Sequence, residues 1–160
     1  MLRWFAIPLV VSGCTPWLET PDLAPGDVAT ISAGRYSGMA ALEVRAFTGP
    51  AQIGREVCST PVELRVDPSA SPMITGSLSC TFSRGNARAD LEGYDAGLPL
   101  FDGELISNDL DATFTGFFVE EDRIYMEIEG VQQAEGYRLR YLGFLDADQF
   151  APLSGGSVGG

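Results

Sequence analysis

Between Tyr36 and Gly143 the chain repeatedly sets a glycine two residues after an apolar side chain, as in Tyr36-Ser37-Gly38, Ile74-Thr75-Gly76, Leu91-Glu92-Gly93, Phe101-Asp102-Gly103, Phe114-Thr115-Gly116, Ile128-Glu129-Gly130 and Tyr141-Leu142-Gly143. The last four recur every thirteen or fourteen residues, the length of one strand and one turn and shorter than the repeats of helical solenoids. Residues two apart on a strand share a face, so each glycine lies beside its apolar partner, where a missing side chain permits bending or close packing. The spacing therefore predicts a curved antiparallel meander. Gly76, Gly103, Gly116 and Gly130 are expected on its concave side, with Ile74, Phe101, Phe114 and Ile128 beside them in the core. Strands are expected over Gly34 to Phe47, Val62 to Val66, Met73 to Phe82, Arg88 to Glu92, Leu98 to Ile106, Ala112 to Val119, Arg123 to Gln132 and Tyr137 to Asp146. Eight such strands can close into a small all-β barrel; a β-sandwich is the alternative.

Composition agrees with this class. At 160 residues, 45 % of them hydrophobic, the chain is about one domain. Its 19 glycines and 10 prolines suit strands and turns, and no long helical period is visible. A net charge of −12 argues against nucleic acid, whose binders cluster cations on one face. All ten basic residues are arginine and there is no histidine. Ser-His-Asp, Cys-His and Ser-Lys chemistries are therefore excluded by inventory.

The N-terminus carries a second signal. Met1-Leu2-Arg3 supplies a positive start and Trp4 to Val11 an apolar run of about eight residues, too short to cross a bilayer, which takes about 20. Val11-Ser12-Gly13-Cys14 follows and resembles the lipobox of bacterial lipoproteins. The resemblance implies a signal peptide over 1–13, cleavage by signal peptidase II, and acylation of Cys14 with two or three chains. At about 0.8 kcal/mol per buried methylene, more than one chain makes membrane residence stable. It also implies a bacterial cell-envelope address. Thr15 after the cysteine, rather than Asp, resembles the enterobacterial signal for the outer membrane.

With Cys14 set aside, Cys58 and Cys80 remain as an even pair in an exported chain. A hairpin centred on Ser69 puts Leu64 opposite Ile74 and Cys58 opposite Cys80, which predicts a disulfide. Closing that loop should contribute roughly 3 kcal/mol on the chain-entropy account. Two cysteines without histidine make no zinc framework, and neither a metal nor a cofactor is expected.

Residues 14–33, rich in proline and acidic residues, read as anchor and tether, 34–150 as the β domain and 151–160 as a flexible Gly/Ser tail; Val28 and Ile31 are expected to reach the core. Gly34-Arg35-Tyr36 at the start of the first strand resembles the Gly-x-Trp motif of lipocalins, and Arg138 or Arg140 stands near the last strand, where that family carries an arginine packed across the motif. The resemblance implies a barrel that holds a small ligand.

Three functional classes follow from these readings. The first in rank is a structural or accessory lipoprotein, held to the membrane through Cys14 and docking to an envelope protein or polysaccharide. The second is a lipocalin-like carrier of a small apolar ligand, with Phe101, Phe114, Met126 and Tyr141 as lining or core residues. The third is a carboxylate-dependent glycoside hydrolase using a pair such as Glu127 and Glu129, which alternate with Met126 and Ile128 on one strand. No catalytic motif is recognisable, so an enzyme is not expected. The acidic turns Glu120-Glu121-Asp122 and Asn108-Asp109-Leu110-Asp111 lack the spacing of a calcium loop and are read as solvated hairpins.

Overall fold

A computed structural model describes residues 21–83, 85–107, 111–134 and 136–153. Its elements are β1 (Gly34–Thr48), β2 (Ala51–Val66), β3 (Ile74–Phe82), β4 (Gly85–Asp95), β5 (Leu100–Ile106), β6 (Asp111–Glu120), β7 (Arg123–Ala134) and β8 (Tyr137–Pro152). Each strand pairs antiparallel with the next, and β8 returns to β1, so the sheet is a closed eight-stranded barrel. Closure gives every strand two neighbours, although β2 meets β3 through only three ladder pairs. The sandwich alternative is thereby set aside.

The glycine repeat sets the register. Phe101 on β5 pairs with Gly116 on β6, and Gly103 on β5 pairs with Phe114 on β6. Each ring thus lies over the glycine of the neighbouring strand. A Cβ added at Gly116 would fall inside the contact envelope of the Phe101 ring, and one at Gly103 inside that of the Phe114 ring. Further pairs follow the same rule: Ile74 with Gly93, Leu64 with Gly76, Leu42 and Ile128 with Gly143, Tyr141 with Gly130. The glycines face the interior, as the parity argument requires, and not the hairpin loops.

One end of the barrel is solid. Tyr36, Phe101, Phe114, Phe118, Ile124, Met126 and Leu145 are each at most 2 % exposed. Phe101 meets Phe114 and Phe118 edge-on, with centroids 6.3 and 5.5 Å apart. The segment before β1 caps this end: Gly26 N–H donates to Phe118 O and Ser32 N–H to Glu121 O, both at 3.0 Å, and Val28 is buried in the core with Ile31 packed against it. The Tyr36 hydroxyl donates to Ser32 O at 2.7 Å, tying cap to wall. Burial, and then the nearby Asp122 carboxylate, push its pKa up to about 12.

The β2–β3 contact departs from the expected register. Leu64 pairs with Gly76 and Val66 with Ile74, two residues on from the Leu64–Ile74 pairing read from the sequence. Cys58 and Cys80 are nonetheless bonded, with Cα atoms 5.8 Å apart. The six steps from Cys58 to Leu64 therefore span the same stretch as the four from Gly76 to Cys80. Pro61 lies within that surplus, and a residue without an N–H is accommodated where the ladder is interrupted. Strand β2 also starts at Ala51 rather than Val62, and before Leu64 its described ladder is with β1 alone.

Candidate functional site

The open end of the barrel is made by the β1–β2, β3–β4, β5–β6 and β7–β8 hairpins, and there the interior is not filled. A cup of about 440 Å³ lies between Val44, Ala46, Ile53, Phe82, Ala87, Leu139 and Tyr141, with Arg55, Glu56, Ser83, Asn86, Gln132 and Tyr137 among its polar lining. Residue size explains the void. Inward positions near the mouth include the small residues Ala46, Gly54, Ala87, Ala89 and Gly130, whereas the capped end carries rings and branched chains. The volume lies within the usual range for a small-molecule site.

The polar groups of the cup are mostly committed. The Glu56 carboxylate accepts from Ser83 N–H at 2.7 Å and from the Ser83 hydroxyl at 2.5 Å, bridging β2 to the end of β3. Arg55 donates to Glu43 at 2.7 Å. The Tyr141 hydroxyl donates to Gln132 Oε1 at 2.7 Å, and Gly130, the ladder partner of Tyr141, places no side chain between them.

A second concavity, about 400 Å³, runs along the outside of the wall and is lined by Glu43, Arg45, Thr113, Thr115, Glu127, Glu129 and Leu142. Thr113, Glu129, Leu142 and Glu43 are successive ladder partners across β6, β7, β8 and β1. Glu43 faces outward yet is only 1 % exposed, and its carboxylate accepts from Arg45 and Arg55. The Arg55 hydrogen bond, assisted by Arg45 and opposed by burial, holds its pKa below the ordinary carboxylate value. On the same face Tyr125 is 1 % exposed between Phe117 and Phe144, and burial with the neighbouring Glu127 raises its pKa to about 12.

The sequence-derived candidates divide between these places. Of the four residues expected as lining or core, Tyr141 lines the cup, while Phe101, Phe114 and Met126 fill the core near the capped end. Glu127 and Glu129 stand side by side on the outer groove, exposed; Glu127 accepts from the Tyr125 hydroxyl at 3.4 Å and Glu129 from Arg140 at 2.9 Å. Glu43, the buried carboxylate beside them, is held as an anion, the opposite of what a general acid needs. The arginine expected to pack across Tyr36 is not Arg138 or Arg140. Both lie at the mouth, where Arg138 stacks on Phe47 and Arg140 pairs with Glu129, whereas Tyr36 pairs with Gln149 at the far end of β8.

In the β6–β7 turn the carbonyls of Glu121 and Asp122 accept from Ser32 and Gln149 N–H groups, and no cluster of three metal-ligating side chains occurs among the described residues. Cys14, the rest of the lipobox and Asn108, Asp109 and Leu110 lie outside the described residues. Sequence reasoning missed Glu43, because a glutamate inside an apolar run reads as an ordinary outward strand position. It also missed the cup, whose signal is only the smallness of residues along several separate strands.

The chain matches no protein-family model and no curated protein.

Proposed function

We propose that the protein is a binding module of the bacterial envelope, held at a membrane by acylated Cys14, which takes one small, mainly apolar ligand into the open mouth of its barrel. The observation that carries this reading is the cup of about 440 Å³, lined in good part by apolar side chains, at the open end of a barrel whose other end is capped. The chain enters the barrel at the capped end, where Gly26 binds Phe118. Six residues separate Cys14 from Pro21, so the two lie at most about 25 Å apart. An anchor there directs the mouth away from the membrane that holds it, toward ligand or partner in the aqueous compartment. Replacing Cys14 by Ala should release the protein from membranes; fatty-acid label on that variant contradicts the anchor.

The accessory-module reading draws support from the lip, where Ile53 is 60 % and Tyr137 43 % exposed. Binding and docking at one mouth are compatible, but only binding requires the void. Titration with the fluorescent apolar probe N-phenylnaphthylamine tests it. The wild-type protein should bind the probe. Ala87→Trp, which fills the cup, should weaken binding at least about tenfold without lowering the melting temperature, since one buried aromatic's worth of contact is removed from the ligand. Equal affinity in both proteins, or none in the wild type, contradicts the carrier reading.

A further inference from the structure

We infer that the ligand of the cup is an uncharged apolar molecule bearing one hydrogen-bond acceptor, such as a ketone, ester or amide carbonyl, and that Gln132 receives that oxygen. The inference rests on the cup being a ligand site.

Gln132 sits on the inward face of β7 and lines the cup, half-buried. The Tyr141 hydroxyl donates to its Oε1 at 2.7 Å, which fixes the plane and sense of the amide. Tyr141 itself is 5 % exposed and anchored in the wall of β8, so the orienting group is rigid. Once Oε1 is taken by a donor, the other arm of the same planar group is an NH₂ with two N–H bonds. Among the described residues nothing accepts from this nitrogen. A half-buried donor beside an apolar wall is a costly group to leave unsatisfied by a ligand that displaces water, and this sets a preference for an acceptor.

The charge of the acceptor follows from the rest of the lining. Among the described lining residues the two full charges are Arg55, which donates to Glu43, and Glu56, which accepts from Ser83. Arg55 is thus neutralised by Glu43, and both Glu56 oxygens already hold a Ser83 donor, which leaves less of that carboxylate for an incoming ammonium. The chain's net charge of −12 adds repulsion against an anionic ligand. Val44, Phe82 and Leu139, the last the ladder partner of Gln132, accept an apolar body. An ion would lose its hydration there without a partner, whereas a carbonyl loses one water and gains the Gln132 N–H.

Displacement of N-phenylnaphthylamine by four naphthalenes of one shape tests the inference: naphthalene, acetylnaphthalene, naphthoate and naphthylmethylamine. Acetylnaphthalene should compete about fivefold or more better than naphthalene, the gain of roughly one net hydrogen bond, and better than either ion. Gln132→Leu should erase that advantage while naphthalene competes as before. Gln132→Glu, which replaces the donor by a carboxylate, should move the preference to naphthylmethylamine. Equal competition by naphthalene and acetylnaphthalene in the wild type, preference for an ion, or a carbonyl advantage that survives Gln132→Leu overturns the inference and leaves the cup standing. Failure of the probe to bind at all overturns both.

Discussion

Gly116 is where residue-scale packing is most exposed to test. Its inner side is occupied by the Phe101 ring and its backbone flank by the Tyr125 carbonyl, so a side chain there must displace one or the other. Gly116→Val should destabilise by about 1 to 3 kcal/mol through overpacking, despite the better strand propensity of valine. Gly54 is the control. An added Cβ there meets only Ala46 Cβ at 3.7 Å, so Gly54→Ala should shift stability by less than about 0.5 kcal/mol. Urea melts of the two variants decide the matter, and a stability gain in Gly116→Val contradicts the ring-over-glycine account. A second residue-scale test uses the two buried tyrosines. Burial in the fold pushes the Tyr36 and Tyr125 hydroxyls up to about 12, against 10.0 for the free side chain. A pKa raised by folding contributes stability that is complete below pH 10.0 and lost as pH climbs toward 12. Stability should therefore fall through that window. Tyr36→Phe, although it starts lower for want of the bond to Ser32, should show a shallower fall; an unchanged slope contradicts the assignment.

Elements differ in how plainly the sequence announces them, and the reason is the strength of local pattern. Strands β5 to β8 were legible to within a few residues at most boundaries because the ring-x-glycine unit repeats with the strand-and-turn period. The first part of β2 was not. Ala51–Pro61 holds Gly54, a proline and mostly exposed side chains, and it is a strand because β1 supplies a continuous ladder for it. That is tertiary pairing overriding weak local preference. The disulfide was legible through cysteine parity and hairpin geometry, but the two-residue slip around Pro61 was not, since nothing local says how much surplus chain a strand will absorb. Where β2 and β3 share only three ladder pairs, the covalent link holds the wall together. The Cys58→Ser/Cys80→Ser protein should lose roughly 3 kcal/mol of stability, read from denaturant midpoints. Alkylation of the denatured, unreduced wild-type domain at either cysteine contradicts the bond.

At the scale of the whole molecule, the proposed function depends on an uneven distribution of bulk along the barrel axis. Large side chains gather toward the capped end and small ones at the mouth, so one hydrophobic core and one cup coexist in a single closed sheet. The expectation that small barrels are filled by their own side chains holds for the first part and fails for the second. Binary pattern alone cannot reveal this, because alanine and glycine read as inward residues in either layer and only the three-dimensional alignment of strands stacks them together. The outer groove with Glu43 is the competing concavity, of similar size but built on the solvent face from exposed acids and threonines. Backbone amide chemical-shift mapping with an apolar ligand at saturation separates the two most directly. The account predicts shifts concentrated at Ala46, Ala87, Gln132 and Leu139 around the mouth. Shifts concentrated instead at Thr113, Glu127 and Leu142 on the outer wall, or absent from both, would contradict it.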